Sequence, residues 1–186
     1  MIDPLAEFLG ACSEGILDYS YIDAVKLAGH SCPTVAGAYL MTLYCLDFLY
    51  ESETAIRGNL RIDMRDPVDS GVTGVIANVI SMITGAAGSG GFKGISGNFQ
   101  RADLLSFNVE QPQLIRFTRL DTGQSIGADY NASMIPPDPS MGPLLSSVLQ
   151  GNADAAQTKA FAELWQARVE EIMTSPELWP QMVKLS

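Results

Sequence analysis

The longest apolar segment of the chain, residues 33–50, is the clearest hydrophobic pattern in the sequence. Only Asp47 is charged within it, and apolar residues fall on nearly every side of a helical projection. A helix that is apolar all round belongs in a protein interior. The segment's eighteen residues fall short of the roughly 20 apolar residues that span a bilayer. We therefore predict a buried core helix and no membrane span.

Shorter helical patterns flank this segment. An aspartate before a proline predicts a helix that begins at residue 3 and runs to about residue 11. Ser20, with Asp23 near the capping-box position, predicts a second helix that ends at Gly29. A third helix, also buried, is predicted over residues 71–84.

Strand patterns follow in the middle of the chain. Apolar and charged residues alternate over residues 60–65, which is the period of a half-exposed strand. Three more strands are predicted over residues 104–110, 113–121 and 125–131. Asp121-Thr122-Gly123 is a hairpin signal between the last two.

The C-terminal part returns to a helical pattern after a proline-rich linker over residues 136–143. One apolar stripe contains Phe161, Leu164, Trp165, Val169, Ile172 and Met173. Because strict β-α alternation is missing, we predict an α+β fold with a mainly antiparallel sheet, long buried helices and a helical C-terminus. The 186 residues predict a single domain, with a core over about 15–135 and a helical extension over about 140–186.

Charge and cysteine content narrow the function classes. The chain has 21 acidic and 11 basic residues and a net charge of −10, without a basic run. That balance argues against nucleic acid and anionic membranes as partners. Three cysteines without a CxxC pair suggest neither disulfides nor a zinc ribbon. With no signal peptide pattern at the N-terminus, we expect a cytoplasmic protein with reduced thiols.

Candidate chemistry is concentrated in the segment Gly29-His30-Ser31-Cys32-Pro33. His30 is the only histidine of the chain, and Cys32 precedes the long helix as its N-cap. Backbone N–H groups and the helix dipole favour a thiolate there. An imidazole and a thiolate together supply half of a zinc shell or half of a nucleophile–base pair. The alternative is that His30 bonds a carbonyl and Cys32 packs as a small hydrophobic residue.

The segment GHSCPTVAGAYLMT resembles the signature of the formylmethanofuran dehydrogenase E-subunit family, and the resemblance extends over about residues 20–125. Matching positions are Gly29, His30, Cys32, Pro33, Gly37 and Tyr39, together with the later Thr84-Gly85 step and the glycine-rich loop. The resemblance implies an α+β core, a homodimer and a metal-binding cleft around the His-x-Cys pair. It implies no settled reaction.

Several family features are absent. Ala28 replaces the first histidine of the family motif, Thr34 replaces the glycine after Cys-Pro, and the C-terminal zinc finger is missing. Since catalytic zinc takes three protein ligands, a third would have to come from elsewhere. The candidates are Cys12, Asp63, Asp66, Asp69 or a partner subunit, whereas Cys45 lies about 20 Å along the helix and is excluded.

The glycine-rich loop over residues 85–97 is the second candidate feature. Its spacing matches neither a P-loop nor a dinucleotide-binding fingerprint. Its glycines alone are explained by a flexible turn. The functional interpretation is a wall over the His30–Cys32 cleft, in which Thr84, Lys93, Gly94 and Arg101 bind a small anionic ligand.

The sequence therefore predicts a divalent metal ion, most readily zinc, at His30 and Cys32, acting as a Lewis acid or activating water if the protein is an enzyme. One alternative is a non-catalytic accessory subunit that binds an organic cofactor, including haem ligated by His30. Another is a metal-free thiol protein that acts through Cys32.

Overall fold

The computed structural model describes all 186 residues. Its seven α-helices are α1 (Pro4–Phe8), α2 (Tyr21–Ala28), α3 (Pro33–Tyr50), α4 (Thr73–Thr84), α5 (Met141–Leu149), α6 (Ala155–Thr174) and α7 (Trp179–Met182). None of them combines the length and the apolar character that crossing a membrane requires.

Five strands form one sheet. They are β1 (Leu60–Met64), β2 (Leu105–Ser106), β3 (Ile115–Arg119), β4 (Ser125–Tyr130) and β5 (Val183–Leu185). Their spatial order is β2-β1-β3-β4-β5, with β1 and β2 parallel and all other neighbours antiparallel. The predicted α+β class with a mainly antiparallel sheet is confirmed.

Helix α3 packs between α4 and the sheet, as its apolar surface predicts. Its buried residues join those of α4 and the inward faces of β1 and β3 in one hydrophobic cluster. Phe117 on β3 and Leu40 on α3 are fully buried there. Helix α6 and strand β5 also contact α3, so the C-terminal segment closes the same core.

Two sheet features differ from the predicted strands. The strand predicted over 104–110 pairs only at Leu105 and Ser106. Asp103 and Asn108 adopt left-handed φ angles of 62° and 57°, which interrupt an extended strand on both sides. Strand β5 is not predicted from the sequence, because three residues after a short helix are too few to show an alternation of apolar and polar positions.

A close contact between α3 and the sheet requires glycine at position 37, in the middle of the helix. A Cβ atom at Gly37 would overlap the ring of Tyr130 on β4. Glycine normally weakens a helix interior, so this position is explained by the approach of the tyrosine ring.

We expect Gly37→Ala to destabilise the protein by roughly 1–3 kcal/mol, because the added methyl group forces the Tyr130 ring or the helix to move. Chemical denaturation measures the effect. Gly142→Ala in α5 is the matched control, since a Cβ there meets nothing within 4 Å. Equal stability of the two variants would contradict the packing argument.

Candidate functional site

His30 lies at the surface, in the link between α2 and α3. Its Nδ1 is 2.9 Å from the carbonyl oxygen of Ala28. Because a carbonyl only accepts, Nδ1 carries the proton, and Nε2 of the neutral ring remains an acceptor. The ring borders a cavity of about 150 Å³, whose other walls are Leu27, Ala28, Val75, Asn78 and Val79. Cys32 is not among them.

Cys32 is the N-cap of α3, as predicted. Its Sγ accepts a hydrogen bond from the Val35 N–H at 3.4 Å. The residue is 7% exposed and belongs to the hydrophobic core. The thiol therefore packs inward, while the imidazole two residues earlier lies at the surface.

The structure contains no group of three or more histidine, cysteine, aspartate or glutamate side chains that could hold a metal ion. Two candidate third ligands are occupied by arginines: Asp63 pairs with Arg116 at 2.9 Å and Asp66 pairs with Arg65 at 3.0 Å. His30 and Cys32 thus fall short of the donors that a resident zinc ion needs within one chain.

The other predicted ligand-binding residues lie apart from His30. The Thr84 hydroxyl is buried, donates to the Ile80 carbonyl at 2.8 Å and accepts from the Ala86 N–H at 3.2 Å. Lys93 is exposed without an ion pair, and Gly94 has a left-handed φ of 88°. No residue of the glycine-rich loop borders the cavity beside His30. Only Arg101 belongs to a dense polar cluster.

That cluster centres on the buried carboxylate of Asp3. Its Oδ1 accepts from Arg101 Nη2 at 2.6 Å, and its Oδ2 accepts from Arg57 Nη1 at 2.8 Å. Oδ1 also accepts from the Leu5 and Ala6 N–H groups at the start of α1. One carboxylate thus joins two guanidinium groups to the first turn of a helix.

Arg57 also closes the C-terminal end of α4. Its Nε donates to the Met82 and Ile83 carbonyls at 3.3 and 3.2 Å, and its Nη2 donates to Met82 at 3.1 Å. A cation near unpaired carbonyls at a helix C-terminus is stabilising. The Tyr19 ring lies 5.7 Å from this guanidinium, within cation–π range.

The Arg101 side chain occupies space that is open only because two neighbouring residues, Gly58 and Gly85, lack side chains. A Cβ at Gly58 would overlap Arg101 Nη1, and a Cβ at Gly85 would lie 3.4 Å from Arg101 Cδ and 3.0 Å from Arg57 Cγ. Both glycines have positive φ, 85° and 74°, which L side chains rarely adopt. Backbone and side chain are therefore fitted to each other at this point.

Arg57 and Arg101 border an open cleft of about 560 Å³. Its remaining walls are Pro4, Ile56, Gly58, Asn59, Phe99, Gln100, Leu104, Leu120 and Asp121. The Arg101 side chain is 9% exposed and that of Arg57 is 22% exposed. Arg57 is thus the more accessible guanidinium of the cleft.

The charges of the cluster do not balance. Two guanidinium groups face the single carboxylate of Asp3, and burial lowers the pKa of Arg101 without removing its charge. Asp121, also on the cleft, is already paired with Arg119 at 2.7 Å. Hydrogen bonds from Arg119 lower the pKa of Asp121 below its usual range. Arg101 Nε is buried without any hydrogen-bond partner.

Only part of this cluster is predicted from the sequence. Arg101 is predicted as a ligand residue and Asp3 as a helix cap, whereas no sequence pattern predicts a role for Arg57. The available signal was an arginine directly before a glycine in a chain with only 11 basic residues. Joining residues 3, 57 and 101 required the fold, because their separations in sequence follow no motif.

Comparison of the chain with models of protein families, and with curated proteins, finds no match. The resemblance to the formylmethanofuran dehydrogenase E-subunit family remains a hypothesis that rests on the matching residues between Gly29 and Tyr39, the Thr84-Gly85 step and the glycine-rich loop.

We expect Asp3→Asn to destabilise the fold by about 3–5 kcal/mol, because removing one partner of a buried ion pair leaves an uncompensated charge. Denaturation at neutral pH measures the loss. Asp66→Asn is the matched control, since its pair with Arg65 is exposed and contributes little. A loss no larger than the control's would show that the cluster is not stabilising.

The same carboxylate predicts a pH dependence of stability. Burial alone would raise the pKa of Asp3, but hydrogen bonds from Arg57 and the Ala6 N–H, with both arginine charges, lower it below 3.8. The ion pairs of Asp3 are therefore fully stabilising above pH 3.8, the ordinary pKa of the carboxyl group. Their contribution to stability is lost as pH falls through the lower folded-state pKa. Thermal unfolding at stepped pH should show a steeper acid-side loss in wild type than in Asp3→Asn, and parallel curves would contradict this.

Proposed function

We propose that this protein binds a small anionic ligand in the cleft bordered by Arg57 and Arg101. The observation that carries the proposal is the excess positive charge of the Asp3–Arg57–Arg101 cluster, together with the buried Arg101 Nε that has no partner. Buried donors without partners are uncommon in folded proteins. A carboxylate or phosphate in the cleft would offset that charge.

The donors left over support this assignment. A guanidinium has five N–H groups, and Arg101 uses only two of its three nitrogens, towards the Arg57 carbonyl and Asp3. Arg57 directs Nε and Nη2 towards helix α4 and one Nη1 N–H towards Asp3. The unpaired Nη N–H groups, above all those of the more exposed Arg57, can form charge-assisted hydrogen bonds with oxygen atoms of an anion.

Titration of the protein with sodium acetate and with inorganic phosphate, followed by amide NMR shifts, tests the proposal. We expect saturable shifts at residues of the cleft. Arg57→Lys should weaken binding about tenfold or more, because hydrogen bonds to charged groups contribute about 1.5–3 kcal/mol and lysine lacks the planar fork.

Arg61→Lys is the matched control, because Arg61 is about half exposed on β1 and does not border the cleft. Binding that weakens equally in both variants would indicate nonspecific attraction of anions. Shifts that do not saturate for either anion would overturn the proposal.

Metal binding at His30 and Cys32 stays a prediction. One observation favours His30 as a metal ligand. The bond between His30 Nδ1 and the Ala28 carbonyl leaves Nε2 free, and such a bond commonly orients a metal-ligating imidazole. The missing ligands would have to come from a second copy of the chain, which links this prediction to the expected homodimer. All three cysteines are free thiols, in keeping with the proposed cytoplasmic location.

Metal analysis of the purified protein tests this second candidate, and visible absorption separates zinc from haem. A bound metal should disappear in His30→Ala and Cys32→Ala. It should persist in Cys45→Ala, because that thiol is fully buried further along α3 and burial raises its pKa above the usual range. Metal content below one equivalent per dimer in the wild type would exclude a resident metal.

A further inference from the structure

We propose that the anion bound by the arginine cleft is a monocarboxylate with a flat apolar body, such as an aromatic acid. This inference rests on the proposed function and adds the chemical class of the ligand. It follows from three features of the cleft: its apolar walls, its strained aromatic residue and its charge.

Four of the eleven residues that border the cleft are apolar. Ile56, Phe99, Leu104 and Leu120 border the cleft, and Leu120 remains 47% exposed to solvent. Small-molecule sites typically combine apolar walls with a few polar groups that fix orientation. The volume of about 560 Å³ is within the ordinary range for such sites. A ligand with only a charged group would leave these walls in water.

Phe99 is held in a backbone conformation that costs energy. Its φ is 63°, and a bulky residue rarely adopts the left-handed region. Strain of this kind is concentrated at ligand-binding positions. The ring lies 5.1 Å from that of Phe8, at an interplanar angle of 30°. The strained backbone therefore presents an aromatic wall to the cleft, and a flat ligand can stack on it.

Charge selects a ligand with one negative charge. The arginines and Asp3 leave a single positive charge uncompensated. Asp121 borders the same cleft and shares the single guanidinium of Arg119 with Glu53. That group therefore has a net negative charge, which a second negative charge on the ligand would approach. A monocarboxylate matches the guanidinium groups in a bidentate manner, and a dianionic phosphate ester is disfavoured.

Affinities for benzoate, acetate and phenyl phosphate, measured by titration of the wild-type protein, test the inference. We expect benzoate to bind at least tenfold more tightly than either of the others. Phe99→Ala should reduce the affinity for benzoate towards that for acetate, with a smaller loss of affinity for acetate than for benzoate. Phe92→Ala is the matched control, because Phe92 is an exposed residue of the same connection between α4 and β2 that does not border the cleft.

Phe99→Gly is a second variant that removes the ring and relieves the left-handed strain, so it tests the wall in a stable fold. If acetate or phenyl phosphate binds as tightly as benzoate, the ligand class is wrong while the proposed function stands. Benzoate binding that survives both Phe99 variants would also overturn the inference. If none of the three anions binds, the proposed function itself is wrong.

Discussion

The shared ion pair between Asp3 and two arginines is the interaction on which the architecture around the cleft depends. It joins four parts of the chain that are distant in sequence: the start of α1, the segment after α3, the end of α4 and the loop before β2. An unpaired charge in this environment would be costly. The three charges therefore stabilise the arrangement of those segments only when all three are present. The cleft lies where the segments meet.

Arg119, like Arg57, closes the C-terminal end of a helix, but it does not form part of the proposed binding site. Arg119 donates to the Leu49 carbonyl near the end of α3, much as Arg57 closes α4. Arg119 pairs with both Glu53 and Asp121, and its guanidinium lies 4.1 Å from the centre of the Tyr50 ring. The contrast is informative: closing a helix requires one arginine and local carboxylates, whereas the Asp3 cluster places two arginines on one carboxylate beside open space.

The fold class, the long core helix and the hairpin at Asp121-Thr122-Gly123 could be predicted from the sequence because each depends on local periodicity or turn chemistry. The short strands β2 and β5 could not, since two or three paired residues carry no periodic signal. The site divides in the same way. The position of Cys32 at a helix N-cap is a local property and was predicted. The direction of its thiol, the exposure of His30 and the meeting of Asp3, Arg57 and Arg101 are set by tertiary packing, which no spacing in the sequence encodes.

The fit of Gly58 around Arg101 has an evolutionary consequence. Any side chain at position 58 would take the volume of the guanidinium, so position 58 cannot change while arginine stays at 101. In related sequences, arginine at 101 should always be accompanied by glycine at 58. The reverse need not hold, because the positive φ of residue 58 favours glycine by itself.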